Sequence, residues 1–336
     1  MFEHLDDESG APPAIDRSDV ERSGRSKRRR RRLGRALSGA GLAVVVAVAA
    51  AGLYVDRRDA AIDRVDIAAP PASTDGSLNI LLLGVDTQPG TVEGTRADSI
   101  VILRFDTGGN ALLTSVPRDL LDPESGQRIN VLAGAGPEAA VEAVTRLTGI
   151  PIDHVVQLDF AGVIAVVDAV GGISLQVKLP IVDPSIGVDL QPTPCTTLDG
   201  AQVLALLRSR HADGDTSGDL GRIFRARELL TIALAQTGAS DLDAVSRVLA
   251  DHAVMDSGMD LATLVALGRR LDGAANVIEL PLPVASAQRP DGAVVLVPAD
   301  GFVRSVRMFG APESFSTTEA GDAEGMSVQG LLTPCD

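Results

Sequence analysis

The sequence predicts a layered α/β domain, with helices on both faces of a mixed central sheet, preceded by a single transmembrane helix. Three observations predict it. Short apolar strand patterns alternate with helical patterns through most of the 336 residues. Three of the strand patterns follow one another with too few residues between them for a crossover helix. Residues 36–55 carry no charge and are numerous enough to cross a bilayer as a helix.

The N-terminal residues predict a membrane anchor and its orientation. Eight basic residues and no acidic ones lie in 25–35, directly before the uncharged run. Such a block stays on the cytoplasmic side. We therefore expect 1–35 to be a cytoplasmic tail and the rest of this single-pass cell-membrane protein to be extracellular. Two alternatives are a cleaved signal peptide, for which 47–52 offers small residues, and a nucleic-acid-binding patch.

The residues after the anchor begin with a linker and are strongly acidic. Residues 56–77 are polar, contain two prolines and predict a juxtamembrane linker. Ten of the 30 basic and seven of the 45 acidic residues precede residue 36, which leaves 20 basic and 38 acidic residues beyond the anchor, a net charge of −18. This charge argues against nucleic acid as a partner, because nucleic-acid surfaces are basic.

Three consecutive strands are expected to place charged residues at one sheet edge. Their patterns cover 78–86, 98–106 and 111–119. The sequence TGGN between the second and third predicts a hairpin, and the eleven residues between the first and second predict an antiparallel pair. The end of the first strand, the start of the second and the end of the third then share an edge. That edge is expected to hold Asp86, Arg96, Asp98 and Arg118.

Helices and strands alternate after the third strand. Helical patterns cover 136–149, 160–172, 198–210, 219–238 and 260–271. Strand patterns cover 154–160, 173–177, 276–280 and 293–297. Asp219 fits an N-cap and Gly238 a helix end.

Arginine and aspartate are the residues that point to chemistry. The G-x-S-x-G, Walker A and H-E-x-x-H motifs are absent from the sequence, whereas five arginines occur in 208–228. A guanidinium group can donate two parallel hydrogen bonds to the oxygens of one phosphate. Two carboxylates beside such groups fit a hard divalent cation that bridges phosphates. The alternative is that these arginines form salt bridges with the many acidic side chains.

The sequence resembles the LytR-CpsA-Psr (LCP) family of cell-wall glycopolymer transferases. The resemblance rests on six segments in order: NILLLGVDTQPGTVEGTRADSIVILRFD, LLTSVPRDLL, RIN, DFAGVIAVVDAVGGISLQV, LDGAQVLALLRSRH and GDLGRIFRARELL. It covers about 78 to 238 and extends more faintly to about 310. Residues 78–310 are therefore expected to be an LCP-like catalytic domain and 311–336 a C-terminal tail.

The resemblance implies a membrane-anchored phosphotransferase and its site. The donor would be a polyprenyl-pyrophosphate-linked glycopolymer, held in an arginine-lined pocket that opens onto a lipid tunnel. The acceptor would be a hydroxyl of peptidoglycan, and Mg²⁺ or Mn²⁺ would lie at the pyrophosphate between Asp86 and Asp98. The implied donor-binding residues are Arg96, Arg118, Arg128, Asn130, Arg208, Arg210, Arg222 and Arg225. The implied catalytic residues are Asp98, Arg118 and Asp119, and either one of the two aspartates or the metal would help to deprotonate the acceptor hydroxyl.

The sequence departs from the family pattern at two places, and the second leaves other functions open. Arg128-Ile129-Asn130 stands where the family commonly has Lys-Ile-Asn, which preserves the charge. Ala226 stands where the family commonly has glutamine, which removes a polar group near the pocket. The alternative functions are a non-catalytic surface protein that binds polyprenyl phosphates or glycopolymers, and a polyprenyl-pyrophosphate hydrolase. Residues 163–170 either line the lipid tunnel, in which case membrane lipid is a partner of the protein, or belong to the hydrophobic core of the domain.

The two cysteines predict a disulfide bond. Cys195 and Cys335 both follow the predicted anchor, on the oxidising side of the membrane where disulfides persist. Two thiols alone are too few for a structural metal site. We therefore expect an intramolecular bridge that closes a loop of about 140 residues, the alternative being two free thiols.

Overall fold

Helices cover both faces of a seven-stranded mixed sheet, which confirms the predicted layered α/β fold. The computed structural model describes residues 59–67, 76–86, 96–107, 111–209, 219–236, 241–271, 277–310 and 331–335. The strands are β1 (Asp63–Val65), β2 (Leu78–Asp86), β3 (Arg96–Phe105), β4 (Ala111–Ser115), β5 (His154–Asp159), β6 (Ile173–Val177), β7 (Ile181–Asp183), β8 (Val188–Leu190), β9 (Thr193–Leu198), β10 (Ala253–Asp256), β11 (Val277–Glu279), β12 (Val284–Gln288), β13 (Val294–Pro298) and β14 (Leu332–Pro334). The helices are α1 (Ile129–Ala133), α2 (Pro137–Thr148), α3 (Phe160–Ala169), α4 (Gly200–Arg208), α5 (Asp219–Gln236), α6 (Leu242–His252), α7 (Leu261–Leu271) and α8 (Phe302–Gly310).

The central sheet has the order β1-β10-β5-β2-β3-β4-β11. Strands β2, β3 and β4 are antiparallel neighbours, as predicted from their short connections. Strand β5 is parallel to β2, and β10 is antiparallel to β5. The sheet is therefore mixed, and the predicted edge formed by the end of β2, the start of β3 and the residues after β4 is present.

Apolar side chains alternate across β2 and supply both faces of the sheet. Leu81 and Leu83 belong to a hydrophobic cluster with residues of α1, α2 and α8. Ile80 belongs to a second cluster, with residues of α6 and α7, on the opposite face. A third cluster joins β6, β7, β8, β9 and β14 to α4 and α5. These clusters fix α4 and α5 near the sheet edge.

Several elements begin, end or occur where the sequence patterns do not place them. Helix α4 begins at Gly200 rather than at residue 198, because Thr193–Leu198 pairs with β6 and Asp199 caps the helix by accepting from Gln202 N at 2.8 Å. Strand β4 ends at Ser115, close before Pro117, which has no N–H for a sheet. The helices α1, α6 and α8 were not predicted.

The predicted linker and the predicted tail each contribute a strand. Strand β1, from 56–77, pairs in parallel with β10. Strand β14, from 311–336, pairs with β6. Both strands have only three residues, which are too few to give an alternating pattern in the sequence. Within the described residues no helix has both the length and the hydropathy to span a membrane, and the predicted anchor, 36–55, lies outside them.

The predicted disulfide is present between Cys195 and Cys335, with 5.2 Å between their Cα atoms. It follows β14 directly and connects this strand to β9. Leu332 N also donates to Glu228 Oε2 of α5 at 3.2 Å. The bridge therefore fastens a strand that contacts α5.

Replacing Cys335 by serine is expected to lower the free energy of unfolding by up to about 5 kcal/mol, because the bridge closes a loop of 140 residues. Denaturant unfolding of the full chain in detergent measures this loss. The Cys195→Ser variant should lose the same amount, and the double variant no more. Equal unfolding midpoints for Cys335→Ser and wild type would show that the bridge contributes no stability.

A buried carboxylate, Asp122, joins the segment after β4 to α2. It accepts from Arg146 Nη2 at 3.1 Å and from Ser125 Oγ at 2.6 Å. Burial alone would raise the pKa of Asp122, but the hydrogen bonds from Arg146 and Ser125 outweigh it and lower the pKa from 3.8 to about 2. The ionised carboxylate therefore stabilises the folded protein.

The stability that Asp122 contributes is expected to disappear in acid. Its folded-state pKa lies below 3.8, so the contribution is complete above this pH and is lost as the pH falls towards about 2. Denaturant unfolding of wild type and Asp122→Asn between about pH 5 and pH 2 measures it. The free-energy difference between the two proteins should shrink with falling pH. A constant difference over this range would contradict the assignment.

Candidate functional site

A β-bulge at the edge of the sheet carries the central carboxylate. Gly84 lies opposite Ser99 and Val85 lies opposite Ala97, so Asp98 is an additional residue in β3. In a regular strand Asp98 and Ser99 would point to opposite faces. Because of the bulge, both line the same cavity. A Cβ atom on Gly84 would lie 3.1 Å from Ser99 Cβ, so this close pairing favours glycine.

A cavity of about 350 Å³ lies at this edge. Charged and apolar side chains both line it, and it is called the polar cavity because of the charged ones. Strands β2 and β3 supply one wall, α3, α4 and α5 supply another, and the turn after β7 supplies Ser185 and Ile186. Its charged lining residues are Asp86, Asp98, Asp183 and Arg208. Three of these four were predicted site residues, and Asp183 was not.

Arg118 connects the bulge to the segment after β4. Its Nη1 donates to Asp98 Oδ1 at 2.5 Å, and its Nε lies 3.4 Å from Asp119 Oδ2. Arg128 Nε lies 3.6 Å from Asp119 Oδ1. The predicted juxtaposition of Asp98 and Arg118 at one edge is therefore confirmed, and the four side chains alternate in charge.

Arg208 is the last residue of α4, and it lines the polar cavity. Its Cζ lies 5.3 Å from the centre of the Phe160 ring, in the range of a cation–π interaction. Helix α4 packs so closely on α3 that a Cβ on residue 200 would lie only 2.3 Å from Ile164 O. The absence of a side chain at Gly200 therefore permits this packing. Phe160 also lines the cavity and was missed, since no local pattern in the sequence pairs an aromatic ring with an arginine 48 residues later.

Arg225 is fully buried and is not among the residues that line the polar cavity. Its Nη2 donates to Ser209 O at 2.6 Å, and Ser209 Oγ donates to Asp183 Oδ2 at 3.0 Å. This network joins α5 to the end of α4 and to β7. The one sequence signal for Asp183 is its place before Pro184 and Ser185, where Ser185 Oγ donates to Asp183 Oδ1 at 2.5 Å.

The remaining predicted residues lie outside the cavity lining or outside the described atoms. Arg128 Nη2 donates to Val294 O at 2.9 Å. Asn130 N donates to Arg118 O at 2.9 Å, and its buried Oδ1 has no hydrogen-bond partner among the described residues. Arg210 lies outside the described residues, and so do the side chains of Arg96 and Arg222. Their donor-binding roles stay predictions.

An apolar cavity of about 230 Å³ adjoins the polar cavity. Helix α5 lines it with Ala226, Leu229, Leu230 and Ala233, whose spacing puts them on one face of the helix. Helix α3 lines it with Val163, Val166 and Val167, of which Val167 also belongs to the third hydrophobic cluster. The two cavities share lining residues from β2, β3, α3, α4 and α5.

The donor set at the edge fits a hard divalent cation. Asp86 and Asp98 both line the polar cavity. Mg²⁺ is commonly held by one or two carboxylates together with phosphate oxygens and water. The described parts of the chain contain no group of three His, Cys, Asp or Glu that could hold a metal alone. The two aspartates therefore fit Mg²⁺ or Mn²⁺ when a phosphate ligand completes the coordination.

Comparison with known proteins gives consistent matches. A sequence model of the LytR_cpsA_psr family matches residues 46–304. The probable cell wall biosynthesis protein LcpB of Corynebacterium glutamicum is 33% identical over 201 residues, which cover 54% of this chain and 47% of LcpB. The polyisoprenyl-teichoic acid--peptidoglycan teichoic acid transferase TagU of Halalkalibacterium halodurans is 28% identical over 188 residues, which cover 54% of this chain and 58% of TagU. The chain spans about half the length of these relatives.

The fold also matches solved structures. The LytR-Csp2A-Psr enzyme from Actinomyces oris aligns with a TM-score of 0.61 and 28% identity, over 74% of this chain and 96% of that one. TagV of B. subtilis aligns with a TM-score of 0.60 and 20% identity, over 72% and 99% of the two chains.

Proposed function

The chain belongs to the LytR-CpsA-Psr family, and on this premise we propose that it is a phosphotransferase. It moves a glycopolymer from a polyprenyl-pyrophosphate carrier to a hydroxyl of peptidoglycan. The observation that carries this proposal is the polar cavity, lined by Asp86, Asp98 and Arg208, which adjoins an apolar cavity. A polyprenyl pyrophosphate has the same two parts, a charged group and a hydrocarbon chain. The name of the relative TagU supports the same donor and acceptor classes.

In the proposed reaction the acceptor oxygen forms a bond to the phosphorus next to the polymer. The bond from that phosphorus to the bridging oxygen breaks, and polyprenyl phosphate leaves with the electron pair. Arg118 and Arg208 stabilise the charge that develops on the phosphoryl oxygens, which is the main contribution a protein makes to such a transfer. Guanidinium groups suit this task because they stay charged when partly buried.

Asp98 is favoured over Asp119 as the group that accepts the proton of the acceptor hydroxyl. Asp98 lines the polar cavity, whereas Asp119 is not among its lining residues. Asp119 instead lies within 3.4 Å of Arg118 and 3.6 Å of Arg128. We assign Asp119 the task of holding Arg118 in the orientation that reaches Asp98.

Mg²⁺ or Mn²⁺ is the proposed cofactor, held by Asp86 and Asp98. Such a cation, when bound, neutralises phosphate charge as a Lewis acid. Asp98 is paired with Arg118 and is also a proposed ligand of the cation. The negative charge of Asp98 is therefore balanced by Arg118 whether or not the donor is bound.

The proposed location is the cell membrane, with residues 36–55 as a single anchor. The basic block before it supports a cytoplasmic N-terminus. Residues 56–336 then lie on the outer side of the membrane, the side on which peptidoglycan is found.

The proposal is tested with the full chain in lipid nanodiscs, a polyprenyl-pyrophosphate-linked saccharide, peptidoglycan fragments and Mg²⁺. We expect saccharide attached to peptidoglycan and one polyprenyl phosphate released per attachment. Free saccharide phosphate would identify a hydrolase instead. Donor binding without either product would identify a binding protein. Omission of Mg²⁺ tests the proposed cofactor in the same assay.

A further inference from the structure

Three hydrogen bonds hold Ser209, the residue that directly follows α4. Ser209 N donates to Ala205 O at 3.0 Å. Ser209 O accepts from Arg225 Nη2 at 2.6 Å, and Ser209 Oγ donates to Asp183 Oδ2 at 3.0 Å. Ser209 and Arg225 are fully buried and Asp183 is only 2% exposed, so water does not compete for these bonds. Every polar group of Ser209 is therefore paired within the protein.

The same bonds join three elements that line the polar cavity. Asp183 is the last residue of β7, Ser209 follows α4, and Arg225 lies in α5. Asp183 Oδ1 also accepts from Ser185 Oγ at 2.5 Å, and Ser185 lines the cavity in the turn after β7. The Asp183 carboxylate thus holds a turn of the cavity wall with one oxygen and the end of α4 with the other.

Arg208 is the residue immediately before Ser209, and its exposed side chain lines the polar cavity. The centre of the Phe160 ring lies 5.3 Å from Arg208 Cζ, so the ring supports one side of the guanidinium. An arginine side chain has many rotamers, and a ligand that orders it must offset the lost entropy. Because Ser209 fixes the backbone beside Arg208 and the ring supports the guanidinium, Arg208 is preorganised for a ligand in the cavity.

The charge of Asp183 argues that it does not bind the donor itself. Asp183 lines the polar cavity, where a carboxylate repels phosphate oxygens. Both of its oxygens instead accept hydrogen bonds from serine hydroxyls. Resting on the proposed function, we propose that Asp183 and Ser209 are positioning residues, which hold Arg208 in the orientation that binds the pyrophosphate of the donor. Asp183 acts on the donor only through Ser209 and Arg208.

The experiment is a double-mutant cycle on Ser209 and Arg208. Its readout is the dissociation constant of the full chain for inorganic pyrophosphate, in detergent with Mg²⁺. Ser209→Ala removes only the hydroxyl that reaches Asp183 and should weaken binding about tenfold, the equivalent of one lost hydrogen bond to a charged group. Arg208→Ala should weaken binding at least as much. The double variant should bind no more weakly than Arg208→Ala, because Ser209 then has no arginine to position.

The Asp183→Ala variant gives a readout in which charge and positioning have opposite signs. Removal of a carboxylate from an anion-binding cavity would by charge alone strengthen pyrophosphate binding. We expect weaker binding instead, because Arg208 loses its orientation, and no weakening where Arg208 is already alanine. Tighter binding by Asp183→Ala would overturn the inference.

Ser246→Ala is the matched control for the loss of a buried serine hydroxyl. Ser246 is 6% exposed, its Oγ donates to Asp243 O at 2.8 Å within α6, and it lines neither cavity. This variant should bind pyrophosphate like wild type.

The outcomes separate this inference from the proposed function. If Arg208→Ala binds pyrophosphate like wild type, the role of Arg208 in the proposed function is wrong, and the inference is wrong with it. If Arg208→Ala binds weakly and Ser209→Ala binds like wild type, the inference is wrong and the proposed function stands. The inference is also wrong if Ser209→Ala weakens binding by the same factor with and without the Arg208 side chain. Where Ser209→Ala does not fold, the cycle of Asp183→Ala with Arg208→Ala decides in the same way.

Discussion

Replacing Asp98 by asparagine is expected to reduce polymer transfer at least about 100-fold, the size of effect seen when one preorganised electrostatic group is removed from an active site. The side chain keeps its shape but loses its negative charge. It then no longer pairs with Arg118 as an ion, offers a weaker ligand to the proposed cation and accepts no proton. The rate of saccharide attachment to peptidoglycan, measured in nanodiscs at saturating donor, checks this expectation.

The fold should tolerate the Asp98→Asn change, since the residue is half-buried at a sheet edge and is not part of a hydrophobic cluster. Denaturant unfolding of the variant tests this directly. Asp300→Asn removes an exposed carboxylate elsewhere and is the matched control. Transfer by Asp98→Asn at the wild-type rate would exclude both the proton-accepting role and the metal-binding role of Asp98.

The Arg118→Ala variant is expected to bind the pyrophosphate donor about 10- to 100-fold more weakly, the equivalent of one lost hydrogen bond to a charged group. The Arg118 side chain is only 12% exposed, and its guanidinium contacts Asp98 and Asp119. Its removal leaves two carboxylates beside the polar cavity without their shared cation, and they repel an anionic donor. Titration of the full chain with polyprenyl pyrophosphate measures the loss.

Lysine at position 118 should restore donor binding only in part. It keeps the charge but lacks the planar pair of donors that a guanidinium presents to a phosphate and a carboxylate. Arg247→Ala is the control, because Arg247 is exposed and pairs with Asp243 on α6. If the alanine variant at 118 binds donor like wild type, the arginine serves a salt bridge within the protein and not the donor.

The edge that carries Asp98 and Arg118 was predictable because its determinants are local. Strong apolar patterns and short connections leave β2, β3 and β4 few ways to pair, and the positions of the charged residues follow from that pairing. The disulfide was predictable from the expected extracellular location and from the presence of only two cysteines in the sequence.

Other features depend on contacts between distant residues and leave no local pattern. Phe160 contacts Arg208, and Asp183 contacts Ser209, because α4 packs against α3 and the small sheets. Arg225 belongs to the same arginine-rich segment as Arg208, yet the structure buries Arg225 and opens Arg208 to the polar cavity. Helical spacing shows which residues share a face, and packing decides whether that face meets a cavity or a core.

Because of the bulge at Asp98, the direction in which this carboxylate points depends on how side chains alternate between the two faces of β3. Ala97 and Ile100 belong to the same hydrophobic cluster although they are three residues apart, so β3 changes phase between them. After the bulge the strand alternates between two apolar clusters, whereas Asp98 at the bulge carries a charge. Removal of a single residue here would let the sheet close in regular pairing and would turn the carboxylate towards the core. Strand β3 thus combines an alternating apolar pattern with a charged bulge.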